Sequence, residues 1–174
     1  MENMKKKLLF SKEMIDRRVR EVAGEISRDF EGREIIIIGV LKGAFVFVAD
    51  LIRNLSIPCE VDFTRLASYG TGTASSENIV MTKNIEMSIK GKDIVIVEDI
   101  IDTGMTLKFL VDRLKKEEPR TLKVCAFIDK KQKRKVPFAA DYVGFTIDDG
   151  FVIGYGLDVN EKARSLPDVY IIEE

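Results

Sequence analysis

Glu98, Asp99 and Asp102 are three carboxylates within VIVEDIIDTGMTL, residues 95–107, whose Val and Ile residues read as a buried strand. They run directly into Thr103-Gly104-Met105-Thr106, a turn that suits a phosphate better than a core. With the strand ending at Glu98, the acids occupy its carboxyl end and the loop beyond. There a charge escapes most of the desolvation cost. The turn then opens a helix, whose free N–H groups attract anions. Gly104 lets a phosphate approach the backbone, and two hydroxyls add donors. Acids beside a phosphate seat make sense when the ligand also brings sugar hydroxyls or a divalent cation, and a ribose phosphate with magnesium brings both. The plainer alternative is that Asp102 or Thr103 caps the helix and Glu98-Asp99 is a solvated loop.

The sequence has no histidine. Acid–base chemistry therefore falls to carboxylates, lysine, tyrosine or cysteine. A zinc site built on imidazoles is excluded, whereas magnesium on carboxylates and substrate phosphates is compatible. Cys59 and Cys125 fall in apparent strands and read as buried reduced thiols, with a disulfide as the alternative.

The elements that must position these residues follow from periodicity. Ile15, Val19, Val22 and Ile26 predict a helix over residues 11–30. Residues 34–40, EIIIIGV, form a β-branched run suited to a strand covered on both faces, and after Lys42-Gly43 a second helix is expected. Residues 59–67 alternate as a strand, 68–77 (SYGTGTASSE) read as a mobile loop, and 78–84 as the returning strand of a long hairpin. The unit 93–129 is strand, helix, strand, with Leu107, Leu110, Val111 and Leu114 on one helix face. That order predicts an α/β fold with a mostly parallel central sheet flanked by helices. Ligands in such sheets sit beyond the carboxyl ends of the strands, where the acidic stretch lies.

Length and composition set bounds. A chain of 174 residues, 45% hydrophobic and 33% charged, reads as one globular domain over 1–174. The net charge of -1 gives no broad pull toward nucleic acid, and no run is apolar and long enough for a membrane. Leu8-Leu9-Phe10 is too short for a signal-peptide core. These features predict a cytoplasmic protein.

The stretch VIVEDIIDTGMT resembles the phosphoribosyl pyrophosphate (PRPP) motif of type I phosphoribosyltransferases, and its Glu-Asp-x-x-Asp-Thr-Gly version is similar to the hypoxanthine-guanine branch. The likeness extends over nearly the whole chain. GVLKGA (39–44) is similar to the pyrophosphate loop, and SYG (68–70) to the start of the mobile catalytic loop. FIDK (127–130), VGF (143–145) and FVIGYGLDVNEKAR (151–164) are similar to the purine pocket and closing segment. The resemblance implies the type I fold with a small hood and a mobile hairpin loop carrying Ser68 and Tyr69. It implies transfer of the phosphoribosyl group from PRPP to hypoxanthine or guanine, giving IMP or GMP and pyrophosphate, with Mg2+. It also implies a homodimer or homotetramer.

Residue roles are carried over on the same terms. The 5′-phosphate is expected on Asp102, Thr103, Gly104, Met105 and Thr106, and the ribose hydroxyls and magnesium environment at Glu98 and Asp99. Asp102 is the expected acid–base residue at purine N7. Lys42, Gly43 and Arg164 are expected to bind pyrophosphate, with the Leu41–Lys42 bond cis. Lys130 would donate to the purine 6-oxo group, Phe151 would stack on the base, and the Val152 backbone would face its Watson–Crick edge. Asp158 is expected near the purine and a second metal. By residue type alone, Lys42 and Arg164 are also compatible with exposed charges, and Phe151 and Val152 with core. Lys131 to Lys135 read as a solvated loop. One departure stands out: Gly150 precedes Phe151, where many relatives carry lysine.

A different class on the same fold is an RNA-binding regulator like the pyrimidine-operon attenuation proteins. That reading needs a basic face and usually an Asp-Asp doublet, whereas this chain has Glu98-Asp99 and no net positive charge. A xanthine-preferring transferase and a nonenzymatic nucleotide-binding protein are further alternatives.

Overall fold

A computed structural model describes residues 5–69 and 78–173. In chain order the elements are β1 (Lys6–Phe10), α1 (Lys12–Asp29), β2 (Ile35–Leu41), α2 (Phe45–Asn54), β3 (Cys59–Tyr69) and β4 (Asn78–Lys83). They continue with β5 (Asp93–Ile101), α3 (Met105–Lys115), β6 (Thr121–Lys130), β7 (Tyr142–Ile147), β8 (Val152–Ile153) and β9 (Val169–Ile172).

The main sheet has the order β4-β3-β2-β5-β6-β7 and is parallel except for β4, which returns antiparallel to β3. The isoleucine run explains why β2 is central. Ile35 and Ile37 join a cluster with α1 and α2 on one face, while Ile36 and Ile38 join Leu107, Leu110 and Leu114 of α3 on the other. Both faces being buried, alternation is replaced by continuous apolar sequence. Helix α1 buries the predicted stripe Ile15, Val19, Val22 and Ile26, and Ser11 caps it by accepting from Met14 N.

Periodicity did not anticipate two features, the first being the form of the small unit beside the main sheet. The chain forms a second, three-stranded antiparallel sheet, β1-β9-β8, which joins the first core through Phe10, Val152 and Val169. Phe10 stacks on Phe145 at 3.9 Å between ring centroids. The second concerns β5, which does not end at Glu98. Its pairing with β6 continues to Ile101 opposite Asp129, so Glu98 and Asp99 stand inside the strand. Of the expected mobile loop, Ser68 and Tyr69 end β3, and residues 70–77 lie outside the described residues. Cys59 and Cys125 are free thiols.

The amino ends of the central strands are tied by Asp93, fully buried at the start of β5. It accepts from Arg120 Nε at 3.0 Å and Thr121 Oγ1 at 2.8 Å, with Arg33 at 3.5 Å. The hydrogen bond from Arg120 holds the Asp93 carboxyl below the usual aspartate range, against the effect of burial. A carboxyl depressed on folding contributes stability that is present above its unfolded value, about 3.9, and lost as pH falls through the folded value. Asp93→Asn should cost roughly 1.5–3 kcal/mol at neutral pH, the scale of a hydrogen bond to a charged group. It should also flatten the fall in Tm below about pH 4. Thermal melts across pH check this, and a variant with the unaltered acid slope would remove Asp93 from that role.

Candidate active site

Strands β2 and β5 are neighbours, but the chain leaves β2 toward β3 and leaves β5 toward β6. Their carboxyl ends therefore flank the point where the strand order reverses, which is where open α/β sheets bind ligands. The segment after β2 and the acidic end of β5 meet there. A Cβ built on Gly43 would fall 1.5 Å from Asp99 Oδ2, so no other residue fits without moving the carboxylate. A Cβ on Gly156 would fall 2.3 Å from Gly43 O, which brings the closing segment to the same place. The peptide bond Leu41–Lys42 is cis.

Glu98 is only 8% exposed, which overturns the expectation that these acids avoid desolvation. The reason is the continued pairing with β6, which keeps the strand end covered. Burial first, then the adjacent Asp99 charge, pushes the Glu98 carboxyl well above its ordinary range. Burial also raises Asp99, although its carboxylate accepts from Ile100 N at 2.7 Å. Two adjacent carboxylates in this state are a donor set that a divalent cation would satisfy.

Asp102 and Thr103 lead into α3, whose N-cap is Gly104 at φ 81° with no side-chain cap. The helix-cap alternative for Asp102 is therefore not what the structure contains. Instead Asp102 Oδ1 is buried with no hydrogen-bond partner among the described residues. Thr103 Oγ1 accepts from Met105 N at 3.3 Å, and Lys108 N donates to Gly104 O at 2.9 Å. Thr106 and Leu107 keep N–H groups with no acceptor inside the helix. Residues 98–104, 106 and 107 line a cavity of about 160 Å³. A wider cavity of about 780 Å³ lies between α1, α2 and residues 155–167, away from the acidic strand, and only Arg164 of the predicted residues borders it.

Lys42 and Arg164 come together through Glu161. Lys42 Nζ donates to Glu161 Oε1 at 2.8 Å, and Arg164 Nη2 to Glu161 Oε2 at 3.0 Å. Arg164 also donates to Gly156 O at 2.8 Å and pairs with Asp158 at 2.9 Å. Asp158 is thus committed to Arg164 and to Glu161 N, and no group of three His, Cys, Asp or Glu among the described residues gathers for a metal.

On the purine side, Lys130 ends β6 and is 7% exposed, with no ion pair or ammonium hydrogen bond among the described residues. Phe151 is 52% exposed, so it is not core, whereas Val152 is buried in β8. Gly150 has φ 123°, a backbone conformation that strains any residue with a side chain, and a Cβ there would also meet Ile171 Cδ1 at 2.5 Å. The 143–145 stretch lies in β7, where Phe145 packs between Phe10 and Phe127. Sequence reasoning missed Arg134 and Glu161. Lys131, Lys133 and Lys135 are exposed as expected, but the Arg134 side chain is only 17% exposed and pairs with Asp129. The only sequence signal was an arginine among lysines.

The phosphoribosyl transferase domain model matches residues 9–160. A hypoxanthine-guanine phosphoribosyltransferase of Aquifex aeolicus (strain VF5) is 47% identical over 171 residues, covering 98% of this chain and 96% of the relative. One from Bacillus subtilis (strain 168) is 40% identical, covering 96% and 93%. The crystal structure of a hypoxanthine-guanine phosphoribosyltransferase from Bacillus anthracis, with a HEPES molecule in its active site, superposes with a TM-score of 0.94. That chain is 45% identical, with coverage of 98% of this chain and 100% of the other. With the parallel sheet, the acidic end of β5 and the glycine turn opening α3, these likenesses show that the chain belongs to the phosphoribosyltransferase family, in its hypoxanthine-guanine branch.

Proposed function

We propose that the chain serves purine salvage, transferring the 5-phosphoribosyl group of PRPP to hypoxanthine or guanine and releasing pyrophosphate, with magnesium. The observation that carries this is Lys130, whose stem is buried and whose ammonium has no protein partner among the described residues, one strand away from the acidic end of β5. An ammonium held in place by its buried stem and left without a protein acceptor is free to donate, and a 6-oxo purine supplies the acceptor. The names of the relatives support the same substrates.

On this reading the 5′-phosphate takes the cavity over Thr103 to Thr106, where free helix N–H groups and hydroxyls meet it. Glu98 and Asp99 face the ribose hydroxyls. The purine rests on Phe151, with Lys130 donating to O6 and the Val152 backbone at the Watson–Crick edge. N9 attacks C1 of PRPP as the pyrophosphate oxygen leaves, through an oxocarbenium-like transition state. Buried carboxylates stabilise that positive charge more strongly than solvated ones would. Asp102 Oδ1, the orphaned acceptor, takes the proton from N7. Lys42, the Gly43 N–H and Arg164 receive the pyrophosphate. Glu98 and Asp99 would hold one magnesium and Asp158, on giving up Arg164, a second, with substrate oxygens and water as the remaining ligands; the charge so supplied would neutralise the leaving group.

Nucleotide formation in excess chelator should cease and return with added magnesium; undiminished turnover would remove the metal from this reading. Asp102→Asn should lower kcat by about 10²–10⁴-fold while changing the KM for PRPP far less. Steady-state kinetics read the split, and a variant with wild-type kcat would return Asp102 to a structural role.

The function itself is tested by offering PRPP and magnesium with adenine, hypoxanthine, guanine, xanthine and uracil. Adenine presents a donor where Lys130 needs an acceptor, and sites built on such a bond reject the wrong analogue by roughly 10⁴–10⁵-fold. Hypoxanthine and guanine should react and adenine should be nearly inert. Lys130→Met keeps much of the stem and loses the donor, so kcat/KM for the 6-oxo purines should fall toward the adenine value. If they keep their full advantage in the variant, Lys130 does not read the base.

A further inference from the structure

We propose that Arg134 is a positioning residue that locks the phosphate turn and Lys130 into one frame, an inference that rests on the substrate reading above. Its guanidinium pairs with Asp129, itself 8% exposed, and donates to Phe138 O at 2.5 Å and Lys130 O at 3.3 Å. Asp129 and Lys130 are the last two residues of β6, and Asp129 lies opposite Ile101, the residue before Asp102. The Arg134 stem covers the back of the phosphate turn. A Cβ on Gly104 would stand 3.0 Å from Arg134 Cδ and 3.2 Å from Val136 Cγ2. The next residue completes the tie, Lys135 N donating to Thr103 O at 3.0 Å.

One side chain thus touches both the purine strand and the phosphate turn. The fork is what the site uses. Arg134 reaches one carboxylate and two carbonyls from a single plane, which a lysine ammonium cannot do. Gly104 at φ 81° has no side chain of its own to fix the turn, so its position depends on what packs behind it. A displaced Lys130 or Thr103 misplaces the two ends of the nucleotide relative to each other, and small misplacements are costly.

Arg134→Lys keeps the charge and breaks the fork. The KM for PRPP, the KM for hypoxanthine and the dissociation constant of IMP should each rise by about tenfold, the scale of losing a hydrogen bond to a charged group. Steady-state kinetics and calorimetry, run well below the variant's Tm, read these values. A residue that merely stabilises the loop would lower Tm and leave all three constants at wild type, and that result would overturn the proposal. Asp129→Asn loosens the same brace from the strand side and should shift the constants in the same direction. It carries the test should Arg134→Lys fail to fold. Lys131→Gln, on an exposed neighbour, should change nothing; a matching rise there would show a general loop effect and overturn the assignment. A wild-type protein that neither turns over PRPP nor binds IMP would overturn the substrate reading, and this inference with it.

Discussion

The site depends on two adjacent carboxylates, the buried Glu98 and the half-buried Asp99, at the end of a central strand. Water would solvate them cheaply, but a strand paired as far as Ile101 keeps it away. The low dielectric that penalises these charges also makes them strong electrostatic partners for a cation or a developing positive charge. Their cost is borne by the two apolar layers on the sheet, where the continuous isoleucine run of β2 meets α1 and α2 on one side and α3 on the other. The same burial explains Gly43. Asp99 Oδ2 occupies the space a side chain would need, so the turn after β2 can close on the acids only through a glycine.

The cations around this pair are handled differently according to their exposure. Lys42 and Arg164 share the carboxylate of Glu161, and Arg164 adds Asp158. These partners are partly solvated, so the pairs are worth little and can be exchanged for a stronger anion. Arg134 and Asp129 are more deeply placed and form a fixed brace. Lys130 alone among these cations combines a buried stem with an ammonium that has no acidic partner among the described residues. Exchangeable pairs suit a pyrophosphate seat, a fixed pair suits a frame, and an unpaired cation on a buried stem suits recognition of a neutral acceptor.

Periodicity made much of the framework legible. The helix over 11–30, the β2 run, the β3–β4 hairpin and the strand–helix–strand unit at 93–129 all correspond to elements in the structure. Each has a local cause: an apolar repeat, β-branched residues or a cap. The second sheet was not legible, because β1, β8 and β9 are short strands that exist only by pairing with distant chain. The end of β5 was misread for a similar reason. Charged residues look like a strand terminus, but the register with β6 carries the strand past them.

The sequence by itself determined which residues could do chemistry: the acid doublet, Asp102, the Thr-Gly turn and the lysines after glycine-rich or apolar runs. Residue type and order along the chain are enough for that, since carboxylates, hydroxyls and flexible turns have intrinsic chemistry. Only the tertiary structure decided their states. It buried Glu98 and Lys130, left Phe151 exposed, orphaned Asp102 Oδ1, and drew Arg134 out of a basic loop onto Gly104. Burial, pairing and solvation are properties of neighbours brought from elsewhere in the chain, and local sequence does not contain them.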